Sequence, residues 1–258
     1  MVTKNWKCVV AVAVALVVAG TAPAWGAAML VSAEFQGTGG TNMSGNEPLA
    51  VGLDSAFSSA GTTWNQLVPA NYPTTATNPS FSSLKDRGTG LATSVGFSIT
   101  GGGVVSGISN AWVAGNALTR DIMIFGNWGG LSTAFDWQIS GLTPNAAFKL
   151  VLYGSATTYG PTIGAYQTVD TNGDGALTES PVLVTGYNSA PPVLFTGTVG
   201  STGLIKGHAN WAGVEGDWSG FQVSVADISV ADIPEPGTAV LLATGLLGVL
   251  ARGRRRPS

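Results

Sequence analysis

The chain has 258 residues, of which only 10% are charged, 37 are glycine and one is cysteine. Between residues 29 and 232 there are 5 basic and 13 acidic side chains, a net −8, which excludes a phosphate-backbone binder because that chemistry needs clustered Lys and Arg. The single thiol, Cys8, lies in the amino-terminal apolar stretch, so disulfides, thiolate metal sites and cysteine nucleophiles are excluded from the rest of the chain.

Lys4 and Lys7 precede an apolar run from Cys8 to about Gly20, and small residues follow through Ala22, Ala24, Ala27 and Ala28. A basic start, a short apolar segment and an A-x-A-like zone are the parts of a cleavable export signal over residues 1–28. Cleavage after Ala24 and cleavage after Ala28 both fit. The run is shorter than the roughly 20 residues needed to span a bilayer, which argues against a permanent anchor.

Residues 29–232 read as one body, of a size common for single β domains. Short alternating or β-branched segments lie at 30–35, 94–99, 121–125, 135–139, 148–153, 182–185, 193–199, 204–208 and 220–230. Turn residues separate them, as in Gly101-Gly102-Gly103, Thr143-Pro144-Asn145 and Gly200-Ser201-Thr202-Gly203. Many short strands with this punctuation predict an all-β fold, an antiparallel sandwich of jelly-roll type, flanked by an amino-terminal helix in the export signal and a short apolar helix near the carboxyl terminus. The Ser, Thr, Asn and Pro-rich stretch 57–87 reads as a long loop or irregular edge, pinned to the core by Trp64 and Leu67.

Several groupings bear on chemistry. Asp170-Thr171-Asn172-Gly173-Asp174-Gly175 has the spacing of a calcium loop, in which Asp170, Asn172 and Asp174 converge and Ala176 adds its carbonyl. Position twelve is Pro181 where a bidentate Glu belongs, Glu179 is two residues early, and Tyr166 to Val169 reads as strand. A polar hairpin tip fits the same residues. His208 is the only histidine and no Gly-x-Ser-x-Gly elbow is present, so no Ser-His-Asp set can be nominated. Glu215 and Asp217 form a close carboxylate pair beside Trp211 and Trp218, readable either as acid and base or as solvated charges. Trp128, Trp211 and Trp218 lie in or beside glycine-rich loops, where aromatic faces can stack on sugars or plug a sandwich end. No catalytic residue is assigned.

After the body, Pro234-Glu235-Pro236 precedes an apolar run from Thr238 to Ala251, followed by Arg252, Arg254, Arg255 and Arg256. The prolines keep the approach extended, the apolar run enters the membrane, and the arginines hold its far end on the cytoplasmic side. Residues 233–258 resemble the PEP-CTERM sorting signal in all three parts and their order. The resemblance implies an exported protein of a Gram-negative bacterium that makes exopolysaccharide. Its partners would be signal peptidase and an exosortase, the membrane peptidase that cuts near the tripeptide, with transient membrane insertion of the tail. The expected destination is the cell surface or extracellular matrix.

Within the body, Asp136 to Leu142 running through Pro144 into Phe148 to Tyr153, with Ser219-Gly220-Phe221-Gln222-Val223 later, resembles galactose-binding and malectin-like jelly rolls. Ser219 stands where Asn is more usual. The resemblance implies a fold and carries no sugar site. The reading that follows is a non-enzymatic surface or matrix protein. Its alternative is a module that binds exopolysaccharide, calcium-stabilised through Asp170, Asn172, Asp174 and Ala176. A glycan-active enzyme is a third reading.

Overall fold

The computed structural model describes residues 29–37, 57, 63–71, 73–108, 121–126, 129–154, 164–185, 192–213 and 215–226. Ala27–Asp227 form one compact unit; the other unit, Met1–Gly26 with Ile228–Ser258, contains none of the described residues. The two expected terminal helices, of the export signal and of the apolar tail, therefore lie outside the described residues.

Strands are numbered in chain order. One sheet has the order β12 (Val193–Thr198), β9 (Ala147–Tyr153), β15 (Gly220–Val225), β1 (Met29–Phe35), β2 (Asn65–Leu67). A second runs β11 (Val182–Thr185), β10 (Gly164–Val169), β13 (Ile205–Trp211), β8 (Ala134–Ser140), β5 (Gly96–Thr100), β4 (Ser80–Phe81). A third runs β14 (Gly216–Trp218), β7 (Ile122–Phe125), β6 (Val104–Ile108), β3 (Ala76–Thr77). Pairing is antiparallel except between β1 and β2, which are parallel. Sheet neighbours distant in sequence, such as β1 beside β15 and β8 beside β13, make this an antiparallel, jelly-roll-like β-sandwich.

Period-two alternation explains the core. Val31, Ala33 and Phe35 point inward from β1, Phe221, Val223 and Val225 from β15, and Phe148, Leu150 and Leu152 from β9. They meet Phe97 and Ile99 of β5, Phe135, Trp137 and Ile139 of β8, and Ile205 and Ala209 of β13 in one buried cluster. Aromatic rings bridge the layers: Phe35 to Phe97 at 5.2 Å, Phe97 to Phe221 at 5.3 Å and Trp137 to Trp218 at 5.4 Å between centroids. Each such pair adds about 0.5–1.5 kcal/mol beyond burial. Gly207, opposite Trp137, leaves room for that indole, because a Cβ there would lie 2.0 Å from its Cζ2.

The same alternation places Ser32, Glu34 and Gln36 on the other face of β1, where water would be the expected neighbour. All three are buried, as are Gln222 and Ser224 on β15. Ser32 Oγ accepts from Gln222 Nε2 at 2.8 Å and from Arg87 Nη1 at 3.4 Å, and the Tyr153 hydroxyl donates to Gln222 Oε1. Arg87 lies 5.5 Å over the Trp64 ring, which in turn contacts Tyr153. The 63–87 stretch thus covers a polar sheet face. It is more regular than a loop, contributing β2, β3 and β4, and Trp64 and Leu67 are both buried.

Candidate functional site

β9 and β15 are direct neighbours, with Phe221 opposite Leu152 and Gln222 opposite Val151. Two parts of the body motif remote in sequence, Phe148 to Tyr153 and Gly220 to Val223, are thereby paired strands, and Gln222 is buried between Tyr153 and Ser32, whereas Asp136 of the same motif lies on β8 in the six-stranded sheet.

The 170–175 loop closes on itself. Asp170 is 2% exposed, and its Oδ1 and Oδ2 accept the backbone N–H groups of Gly173 and Gly175, each at 2.8 Å. Both glycines have positive φ, +76° and +86°, which L side chains rarely adopt. Asn172 Oδ1 accepts from the Asp174 N–H, Asn172 Nδ2 donates to Asp174 Oδ2 at 3.1 Å, and Asp174 Oδ1 accepts from the Ala176 N–H. Glu179 turns away to Thr171, whose N–H it accepts at 2.8 Å. Burial opposes the Glu179 charge, but the Thr171 N–H and neighbouring donors outweigh it and hold the carboxyl below the usual range. Among the described residues no three His, Cys, Asp or Glu side chains group as a metal site. The loop still offers two carboxylates, an amide oxygen and the Ala176 carbonyl, the hard oxygen donors that calcium takes.

His208 and Asp136 pair across β13 and β8, with Nδ1 2.7 Å from Oδ1, on the open face of the six-stranded sheet. The imidazole is thus oriented by a carboxylate. Glu215 is half-buried, and that burial raises its pKa above the usual carboxylate range, whereas Asp217 is buried on β14.

The tryptophans divide. Trp218 is 1% exposed, so the expectation that it lines a ligand surface is corrected: its ring lies against Phe35, Phe97 and Trp137, and Nε1 donates to the Gly220 carbonyl at 2.9 Å. The reason is β14, whose pairing with β7 turns this residue inward. Trp211 ends β13 half-buried and packed against the main cluster. Trp128 lies outside the described residues, as do Pro234, Glu235, Pro236 and the arginines at 252, 254, 255 and 256.

Sequence reasoning passed over the outward positions of the six-stranded sheet. Tyr166 on β10 is 42% exposed and stands between Leu183 of β11, 37% exposed, and Asn210 of β13. One row along, His208 stands between Thr168 and Asp136. Tyr166 carried a weak signal, an aromatic at an outward position, but its neighbours could not be read without the pairing.

Residues 232–256 match the PEP-CTERM protein-sorting motif. No curated protein matches the chain. Among solved structures, a CBM22 xylan-binding domain from Paenibacillus barcinonensis is similar at 12% identity over 50% of this chain and 85% of that one, with a TM-score of 0.31. A cleaved adhesin domain of Lys-gingipain from Porphyromonas gingivalis is similar at 12% identity over 47% and 80%, with a TM-score of 0.26. The matched tail makes this an exported protein, sorted to the cell envelope and processed by an exosortase.

Proposed function

We propose that the protein is a non-enzymatic cell-surface or extracellular-matrix protein, whose sandwich is delivered outside the cell once its tail is processed. The supporting observation is that the body closes before the tail begins. β15 fills the slot between β9 and β1 and ends at Val225, whereas the matched sorting segment starts at residue 232. A cut near Pro234 to Pro236 therefore removes no residue of the described core. Signal peptidase and exosortase act in this reading on opposite ends of one finished domain.

The test is mass spectrometry of the protein recovered from cells and medium, in a parent strain and one lacking its exosortase. The expected mature form starts at residue 25 or 29 and ends near the tripeptide in the parent, and keeps its tail in the membrane fraction of the deletion strain. Full-length protein with both ends intact in the cytosol would overturn the reading. Hydrolysis of a polysaccharide that disappears in Glu215→Gln would replace "non-enzymatic" with a glycosidase.

A second reading, a module that holds exopolysaccharide, is favoured by the Tyr166 face of the six-stranded sheet. A calcium ion on Asp170, Asn172, Asp174 and the Ala176 carbonyl belongs to it as a stabiliser of the β10–β11 connection.

A further inference from the structure

The outward side chains of the six-stranded sheet fall into rows fixed by strand register. Leu183, Tyr166 and Asn210 form one, and His208 with Asp136 the next. Lys206 lies one row further, its Nζ donating to the Gly175 carbonyl at 3.3 Å. We propose that this face holds a neutral polysaccharide chain, with Tyr166 as the stacking platform and Asn210 and the His208–Asp136 pair as hydrogen-bonding groups. The proposal deepens the exopolysaccharide reading above and rests on it.

Three features of the face select that ligand. First, a solvated antiparallel face is ordinarily polar, yet here an aromatic ring and a leucine sit side by side in water. A sugar is amphipathic, with a C–H face that packs on an aromatic ring and hydroxyls that need partners at the rim. Second, the rim supplies both kinds of partner. The Asn210 amide donates and accepts, and the Asp136 carboxylate accepts. The 2.7 Å contact orients the imidazole before any ligand arrives. Third, the charges balance locally, Lys206 against Asp136, while residues 29–232 carry a net −8. An anionic polymer would meet repulsion from the body as a whole, and an uncharged one would not.

The geometry suits a chain better than a single sugar. Tyr166 and His208 are diagonal neighbours on adjacent strands, about 7–8 Å apart, so the two rows contact successive units. All of these groups stand on strands, which lose little conformational freedom on binding.

The test uses the mature exported protein in native affinity electrophoresis, with gels containing xylan, galactomannan, mixed-linkage β-glucan or alginate. At least one of the three neutral polymers is expected to retard the wild type, and alginate is not. Tyr166→Ala weakens the retardation roughly tenfold, Asn210→Ala weakens it less, and Leu91→Ala, at an exposed position outside the strands of this sheet, leaves it unchanged. Asn210→Ala keeps the wild-type melting temperature, and Tyr166→Ala, which removes a partly covered cross-strand ring, lowers it by a few degrees at most and leaves the domain folded. The proposal is overturned if no neutral polymer retards the wild type, if alginate is preferred, or if Tyr166→Ala and Asn210→Ala bind as wild type. If a neutral polymer retards the wild type and both site variants equally, the exopolysaccharide reading stands and this face is not its site; if no neutral polymer retards the wild type, both fall.

Discussion

Met29 and Val225 stand opposite one another in the β1–β15 ladder. The first and last strands of the body are therefore neighbours, and β1 lacks one of its two partners until β15 arrives. Closure of the sheet waits for a contact spanning nearly the whole body, the kind of non-local pairing that slows folding.

The sorting tail and β15 should thus differ sharply in what their removal costs. A chain ending at residue 231 is expected to keep the urea midpoint of the mature protein, and one ending at residue 219 to remain unfolded by circular dichroism. Within β15, Phe221→Ala should cost about 3–5 kcal/mol, since the ring is wholly buried against Phe35 and Phe97.

Gly207 and Trp137 form a matched pair. Gly207→Ala puts a methyl into the indole and should cost about 1–3 kcal/mol in a denaturant titration. Trp137→Phe, though destabilising alone, should shrink that cost. A double-mutant cycle with no coupling would show that the backbone, not the ring, absorbs the added carbon.

Glu215 should make stability depend on pH in the opposite sense to an ion-paired acid. Burial raises its folded-state pKa. Below the unfolded value, about 4.3, both states are protonated and there is no penalty. The penalty grows as pH rises through that value and is complete above the raised folded one. Glu215→Gln is therefore expected to raise the melting temperature at pH 7 and leave it unchanged at pH 3.5.

Calcium should stabilise the 170–175 loop. With an affinity in the range of extracellular calcium modules, 10 mM Ca²⁺ would add about 1.4–2.7 kcal/mol, visible in scanning calorimetry as a rise of several degrees. Asp174→Ala should abolish the rise and leave the calcium-free transition nearly in place, because Asp174 is exposed. An unchanged wild-type transition would leave the loop a plain hairpin tip.

Period-two patterns were enough to locate most of the strands. The expected segment 148–153 lies within β9 and 182–185 coincides with β11, because alternation reports which side chains share a face. β14 escaped notice: Gly216-Asp217-Trp218 is too short to alternate and sits among glycines. Trp218 could not be placed for the same reason, since a tryptophan in a glycine-rich stretch looks alike in sequence whether its ring faces water or core.

What the amino-acid sequence determined by itself is local: a sorting tail, strands and the turns between them, each written in contiguous residues. Only the tertiary structure decided which strands are neighbours. That decision buried the polar side of β1 under residues 63–87, turned Trp218 inward, and set Tyr166 beside Asn210 and His208 beside Asp136. The physical reason is that alternation fixes a residue's face but not the chain segment lying against it, and exposure and partnership both depend on that segment.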